Sequence, residues 1–129
     1  MATTVPDSHR DLFSQAALGH VAYTNDRGRL IVFPMWVDLD GSRLLTSSPV
    51  GSRKGSSLRA RPEIGISIVS PSDPWHWLSI SGRVVGIRAD EDLAFIDRMA
   101  RKHMGTDYPR RTPREVFEVE IERVTASGQ

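Results

Sequence analysis

Thr46-Ser47-Ser48-Pro49-Val50-Gly51-Ser52-Arg53-Lys54-Gly55-Ser56-Ser57-Leu58-Arg59 is read as a strand end, a turn and a helix start. Hydroxyl residues close the strand, and Pro49 to Gly51 breaks it. Ser52 to Ala60 has the length of a short helix, which Pro62 ends by disfavouring helical geometry at Arg61. The first turn of a helix presents unpaired N–H groups and about half a positive charge. Arg53 and Lys54 add two cations where the helix already repels them, a conflict that a bound anion would resolve. A phosphate fits, with serine hydroxyls and backbone N–H groups as further donors. The plain alternative is a solvated basic helix end, and a nucleic-acid patch is the third reading.

Upstream, Arg43 to Ser48 returns from the hairpin signal Asp40-Gly41. The preceding run, Leu30 to Leu39, is apolar at almost every position. It is expected to be one strand buried on both faces, or covered on one face by a partner. Before it come His20 to Thr24 as a strand and Asn25-Asp26-Arg27-Gly28 as a turn. Ser8 is expected to cap an opening helix whose face carries Leu12, Phe13, Ala16 and Ala17, with Gly19 as its stop.

Downstream, Ile64, Ile66 and Ile68 alternate with Gly65 and Ser67, which is strand spacing. Pro71-Ser72-Asp73-Pro74 turns the chain into a strand from Trp75 to Ser81, and a bulge or bend at Gly82 continues it to Ile87. Asp90 caps a second helix with Leu93, Ile96, Met99, Ala100 and His103 on one face, and Gly105 closes it. In the last strand Phe117, Val119 and Ile121 alternate with Glu118, Glu120 and Glu122, a core face and a wet face. The expected fold is mainly β within the α+β class: a six-stranded antiparallel split barrel with flanking helices. Residues 1–129 form one domain with an ordered core of about 8–125 and loose tails.

The 129 residues suit a single core, and the formal charge of +1 argues against a nucleic-acid coat. With no cysteine there is no disulfide, thiolate metal site or cysteine nucleophile. No run approaches the roughly 20 apolar residues of a membrane span, and the N-terminus lacks the features of a signal peptide. A cytoplasmic protein without membrane or nucleic-acid partners is the expectation.

The order of Pro34-Met35-Trp36, Asp40-Gly41, Ser48, Ser52-Arg53-Lys54 and Leu58-Arg59-Ala60-Arg61-Pro62 resembles the pyridoxamine 5′-phosphate oxidase-like, FMN-binding split-barrel superfamily. Gly82-Arg83-Val84 and Asp107-Tyr108-Pro109 extend the resemblance to roughly residues 12–124. Within the superfamily the chain is similar to the actinobacterial branch that uses the deazaflavin coenzyme F420. The resemblance implies that Arg53, Lys54 and Ser48, with Ser47 and Ser52, grip a cofactor phosphate. It also implies that Pro34, Met35 and Trp36 lie along the tricyclic ring. Departures are serine at 57, where many relatives have asparagine or alanine, and serine rather than threonine at 48. There is no room for the C-terminal extension of true pyridoxamine phosphate oxidases, so that activity is not expected.

The resemblance further implies a homodimer whose partner closes the pocket at the strand of Trp75 and Trp77. These two tryptophans, placed on one strand face, are assigned to the cofactor or substrate, with plain interface packing as the alternative. The histidines His9, His20, His76 and His103 lack metal-ligand spacing, and His103 is read as a satisfied core residue. No triad or carboxylate pair is present, so no catalytic residue is assigned. The implied activity is hydride transfer from the reduced deazaflavin to an unsaturated small-molecule substrate. The alternatives are an FMN-dependent enzyme of the same fold, or a carrier of flavin, deazaflavin or haem. The basic loop Tyr108-Pro109-Arg110-Arg111 is read either as plain surface or, if it folds towards the helix, as forming with Arg59 and Arg61 a basic path for the deazaflavin's acidic tail.

Overall fold

The computed structural model describes residues 4–128. Seven antiparallel strands form one sheet: β1 Gly19–Thr24, β2 Leu30–Met35, β3 Asp38–Asp40, β4 Arg43–Pro49, β5 Glu63–Val69, β6 Trp77–Ala89 and β7 Arg114–Ser127. Two α-helices accompany it, α1 Arg53–Ala60 and α2 Ala94–Met104, with 3-10 turns at Asp7–Phe13 and Glu91–Leu93. The sheet order is β2-β1-β5-β6-β7-β4-β3.

The run Leu30 to Leu39 is therefore two strands, not one, which corrects the strand count from six to seven. It breaks at Trp36-Val37, and the two pieces occupy opposite ends of the sheet. Met35 and Asp38 are three residues apart, so those ends lie within about 11 Å of each other. A seven-stranded sheet meets this condition only by rolling up, which makes a barrel with a seam bridged by Trp36 and Val37. Val37 is buried there, and its methyls lie so close to Gly19 that a Cβ at Gly19 would meet Val37 Cγ2 at 3.0 Å.

The barrel interior is filled by Leu12, Val21, Val37, Leu44, Ile66, Leu78, Phe117 and their neighbours. A second core of Leu45, Phe95, Met99 and Val116, with Trp36 packed on it, lies between the barrel wall and α2. Leu44-Leu45 and Val116-Phe117 thus bury successive residues because β4 and β7 have apolar cover on both faces. The long strand β6 shifts register at Ser81/Gly82 and again at Val84/Gly86. Gly82 is required there, since a Cβ would run into the Glu120 carbonyl oxygen. Glu120 and Glu122 face solvent and Glu118 pairs with Arg88, as the alternating last strand implies.

The tails differ from expectation. Residues 1–3 and 129 lie outside the described residues, but Val5 is buried in the core and β7 continues through Ser127. The His9 Nε2–H donates to the Ser127 carbonyl (2.7 Å), while His9 Nδ1 accepts from Ser8 Oγ (2.8 Å). The His9 ring stacks on His76 at 4.2 Å, and His76 Nε2 bonds Asp11 (3.0 Å). Buried imidazoles thus tie both chain ends to the start of β6. Ser8 consequently sits inside the first turn rather than capping it.

Trp75 also moves. It lies in the turn before β6, fully outside the strand that holds Trp77, so the two do not share a strand face. The strand β2 is not buried on both faces either: Leu30, Val32 and Phe33 are 78%, 61% and 48% exposed at the sheet edge.

Candidate functional site

At the seam the chain makes a helix start that follows the sequence closely. Ser52 is the N-cap of α1 and its hydroxyl accepts from the Gly55 N–H (3.0 Å). The same hydroxyl bonds Ser48 Oγ at 2.6 Å, fixing the end of β4 to the helix. The first turn contains no acidic residue. Arg53 is exposed and makes no hydrogen bond or ion pair among the described residues.

Lys54 is buried, 6% exposed, although a helix start of this kind is expected to leave it in solvent. Its Nζ donates to the Ser47 carbonyl (2.7 Å) and to Met35 Sδ (2.9 Å), and lies 6.0 Å from the Phe117 ring centroid. Thr46 Oγ1 donates to the same sulfur at 3.7 Å. Met35 on β2 thereby meets β4 and α1 across the seam. Burial, assisted by the nearby Arg114 charge, pushes the Lys54 ammonium down to about 7.

Arg114 is the residue that sequence reasoning missed. It opens β7 directly opposite Pro49, and its Nη2 donates to Ser47 Oγ (3.0 Å). Its guanidinium lies over the Tyr108 ring at 5.2 Å, while its buried Nε has no partner. Burial lowers its proton affinity from the ordinary arginine value, partly offset by Tyr108 and Asp90. The only sequence signal was an arginine just before a strong strand, which is ordinary until pairing sets it beside Ser47 and Ser48.

These groups border a cavity of about 1020 Å³, lined among others by Pro34, Met35, Trp36, Ser47, Ser48, Arg53, Lys54, Phe95, Tyr108 and Arg114. Of the residues expected to bind cofactor, Pro34, Met35, Trp36, Ser47, Ser48, Arg53 and Lys54 are brought together. Ser52 supports them from behind through Ser48. Trp75 and Trp77 do not line the cavity.

Trp36 forms one wall. It stacks on His103 (5.2 Å, 7° between planes) and meets Tyr108 edge-on at 5.9 Å. His103 is only half-buried and its Nε2 has no partner, so it is not the satisfied core histidine expected. Burial and the neighbouring Lys102 lower its proton affinity below that of an ordinary histidine.

The expected basic path is largely committed elsewhere. Arg59 pairs with Glu115, Arg61 donates to the Asn25 carbonyl, and Arg111 grips Asp97 with two nitrogens. The cavity instead extends to the β1–β2 turn, where Arg27 and Arg29 line it with no side-chain partner among the described residues. Among the described residues no group of three histidine, aspartate or glutamate side chains could hold a metal, and no helix is long and apolar enough to cross a membrane.

The arrangement suits a flat, phosphate-bearing ligand. The volume is at the upper end for ligand pockets, roughly 300–1,000 Å³. One side is aromatic and aliphatic; the other offers three cations and two hydroxyls, with no carboxylate bonded to any of the three cations. The partnerless Arg114 Nε is a donor that an anion would satisfy.

The family model for pyridoxamine 5′-phosphate oxidase matches residues 5–128, and the chain belongs to that family. Solved structures share the fold. A protein named F420 reductase is 22% identical, with 94% of this chain and 98% of that one covered and a TM-score of 0.82. General Stress Protein 26 from Bacillus anthracis superposes with a TM-score of 0.72 at 11% identity, covering 94% and 92% of the two chains. A pyridoxamine 5′-phosphate oxidase-like protein from Listeria innocua gives 0.65 at 20% identity, covering 93% and 95%. No curated protein matches the chain.

Proposed function

We propose that the chain is an oxidoreductase that binds coenzyme F420 at the seam and reduces an unsaturated small-molecule substrate. The observation that carries this reading is that Lys54 and Arg114 converge on Ser47, with Ser48 and Arg53 lining the same cavity and no carboxylate bonded to any of the three cations. A phosphate bound there gains charge-assisted hydrogen bonds from Arg53 and from the unused Arg114 Nε. Met35, Pro34 and Trp36 form the side against which a tricyclic ring would lie. When bound, the deazaflavin supplies a hydride; the protein positions it and keeps one face apolar. Similarity to the F420 reductase structure supports this choice.

FMN is the second reading, and the commitment of Arg59, Arg61 and Arg111 to partners within the chain favours it. Arg27 and Arg29, which line the cavity, and the exposed Arg110 then remain for an acidic tail. The cofactor that stays with the protein through gel filtration after incubation with F420, FMN or haem tests the choice, read by spectrum and mass. Retention of F420, with a binding advantage over FMN that fades as salt rises, is expected. Retention of FMN alone selects the second reading, and retention of none overturns both. Cofactor-dependent turnover of a quinone, tetrapyrrole or unsaturated lactone separates an enzyme from a carrier.

The same reading includes a homodimer. The exposed Leu30 and Val32 share one face of an edge strand, and the exposed Phe33 on its other face lines the cavity. A second copy would cover this edge strand and wall the cavity. A monomer in light scattering, with cofactor still bound, would refute this part.

A further inference from the structure

Lys54 is an unusual cation to find beneath an anion site. It is nearly sealed from solvent, and both of its acceptors, a backbone carbonyl and a thioether, are uncharged. Neither compensates a full positive charge removed from water. The elements around it add positive charge, neutral groups or carboxylates that already have partners. From β7, Arg114 bears on it directly, and Glu115 on the same strand is paired with Arg59 through Oε2, its buried Oε1 having no partner among the described residues. On its own helix the neighbouring Arg53 is cationic. On the α2 side, Asp97 is gripped by Arg111, and Asp90 accepts from two backbone N–H groups. Tyr108 contributes a neutral ring beneath Arg114. From β2 and β4 the bonded partners are the uncharged Met35 and Ser47, with Thr46 on the same sulfur.

We propose that capture of a phosphate-bearing ligand is coupled to uptake of one proton by the Lys54 amine, so that pH sets the ligand's affinity. This deepens the phosphate reading above and rests on it. The balance is simple: a proton passes from solvent to the amine lone pair, and no other bond forms or breaks. Before binding, the amine is held near neutrality by its surroundings and loses its proton as pH rises past about 7. A bound anion faces Arg114 and Lys54 together and favours the charged amine. Between the two proton affinities, binding takes up a proton, and affinity falls towards tenfold for each pH unit. Below about pH 7 the amine is already charged and the dependence vanishes.

The ligand's own ionisation separates the two cofactors. FMN carries a phosphate monoester with a second ionisation near pH ~6, so its binding also weakens in acid. The phosphate of the tailed deazaflavin is esterified on both sides and has no second ionisation of its own.

Calorimetric titration of the unaltered protein with F420 and with FMN tests this, from about pH 6 to about pH 9 in two buffers of different ionisation enthalpy. Uptake approaching one proton per site above about pH 7, with the matching fall in affinity, is expected. Lys54→Met should bind more weakly at the acid end, take up no proton and lose the alkaline dependence. Binding without proton uptake in the unaltered protein overturns the coupling and leaves the phosphate site standing. Uptake that persists in Lys54→Met assigns the proton elsewhere and also overturns it. If neither cofactor binds at any pH, the phosphate reading falls and the coupling with it.

Discussion

The two α-helices begin in opposite electrostatic states. At the start of α2 the chain supplies its own anions. Asp90 accepts from the Phe95 N–H (2.8 Å) and the Ile96 N–H (3.0 Å), while Asp97 in the first turn is locked to Arg111 and to the Tyr108 N–H. The backbone reaches this geometry through left-handed conformations at Asp92 and Leu93, so the helix begins at Ala94, later than its capping aspartate suggests. At the start of α1 a neutral serine caps one N–H, the first turn has no acid, and two cations crowd the same end. One helix start is complete within the chain. The other leaves positive charge unanswered beside a cavity, and a stable protein tolerates that where a ligand answers it.

The comparison can be broken by experiment, beginning at the complete end. Asp90→Ala orphans two buried N–H groups and removes two charge-assisted hydrogen bonds, so it should cost about 2–4 kcal/mol of stability in denaturant unfolding. A loss below about 0.5 kcal/mol would show that α2 does not depend on this carboxylate.

Arg53→Ala tests the open end and should behave the other way. Stability should change by less than about 0.5 kcal/mol, because the side chain is exposed and holds nothing. Cofactor affinity should fall by about 1.5–3 kcal/mol, read by fluorescence titration. Unchanged affinity would reduce Arg53 to a surface charge.

Lys54 sharpens the contrast through pH. In the unfolded chain its amine titrates at 10.5, and in the fold at about 7. Between those values the unfolded state holds more protons, so the stability of the cofactor-free protein rises with pH across this window. The penalty for burying the charge is complete below about pH 7. Lys54→Met should therefore stabilise the cofactor-free protein more at about pH 6 than at about pH 10, by about 1–2 kcal/mol after allowance for relaxation around the site. An equal effect at both pH values would mean the amine keeps its proton.

Asp97 should give the smallest effect. The Arg111 guanidinium draws its carboxyl below the ordinary value of 3.8, against the opposing effect of burial and with help from the Tyr108 N–H. Its contribution is present above that value and lost as pH falls through the lower folded one. Arg111 is half in solvent, so the pair is screened. Asp97→Asn should only shallow the acid limb of a stability-versus-pH curve; an unchanged limb would leave the pair with no net role.

Local patterns were legible wherever one residue's neighbours in sequence are also its neighbours in space. The alternation of Phe117, Val119 and Ile121, the turn at Asp40-Gly41, the short helix after Gly51 and the stop at Gly105 all appear as their spacing implies. The break at Trp36-Val37 was not legible, because a continuous apolar run reads alike whether it is one strand or two. Only barrel closure demands that such a run change sheet ends. Trp75 was misplaced for a related reason: alternation continues on paper through a turn that the Asp73 side chain actually organises, accepting from the Trp75 N–H.

The sequence by itself determined the β-rich set of elements, the short helix after Gly51 and the presence of two cations at its start, since these depend on interactions within a few residues. The tertiary structure decided the rest of the site. Rolling the sheet set Met35 against Thr46 and Lys54 across the seam, pairing β4 with β7 delivered Arg114 to Ser47, and packing withdrew Lys54 from water. Proton affinity and ligand geometry depend on distance through space and on exclusion of solvent, and neither is encoded in the spacing of residues along the chain.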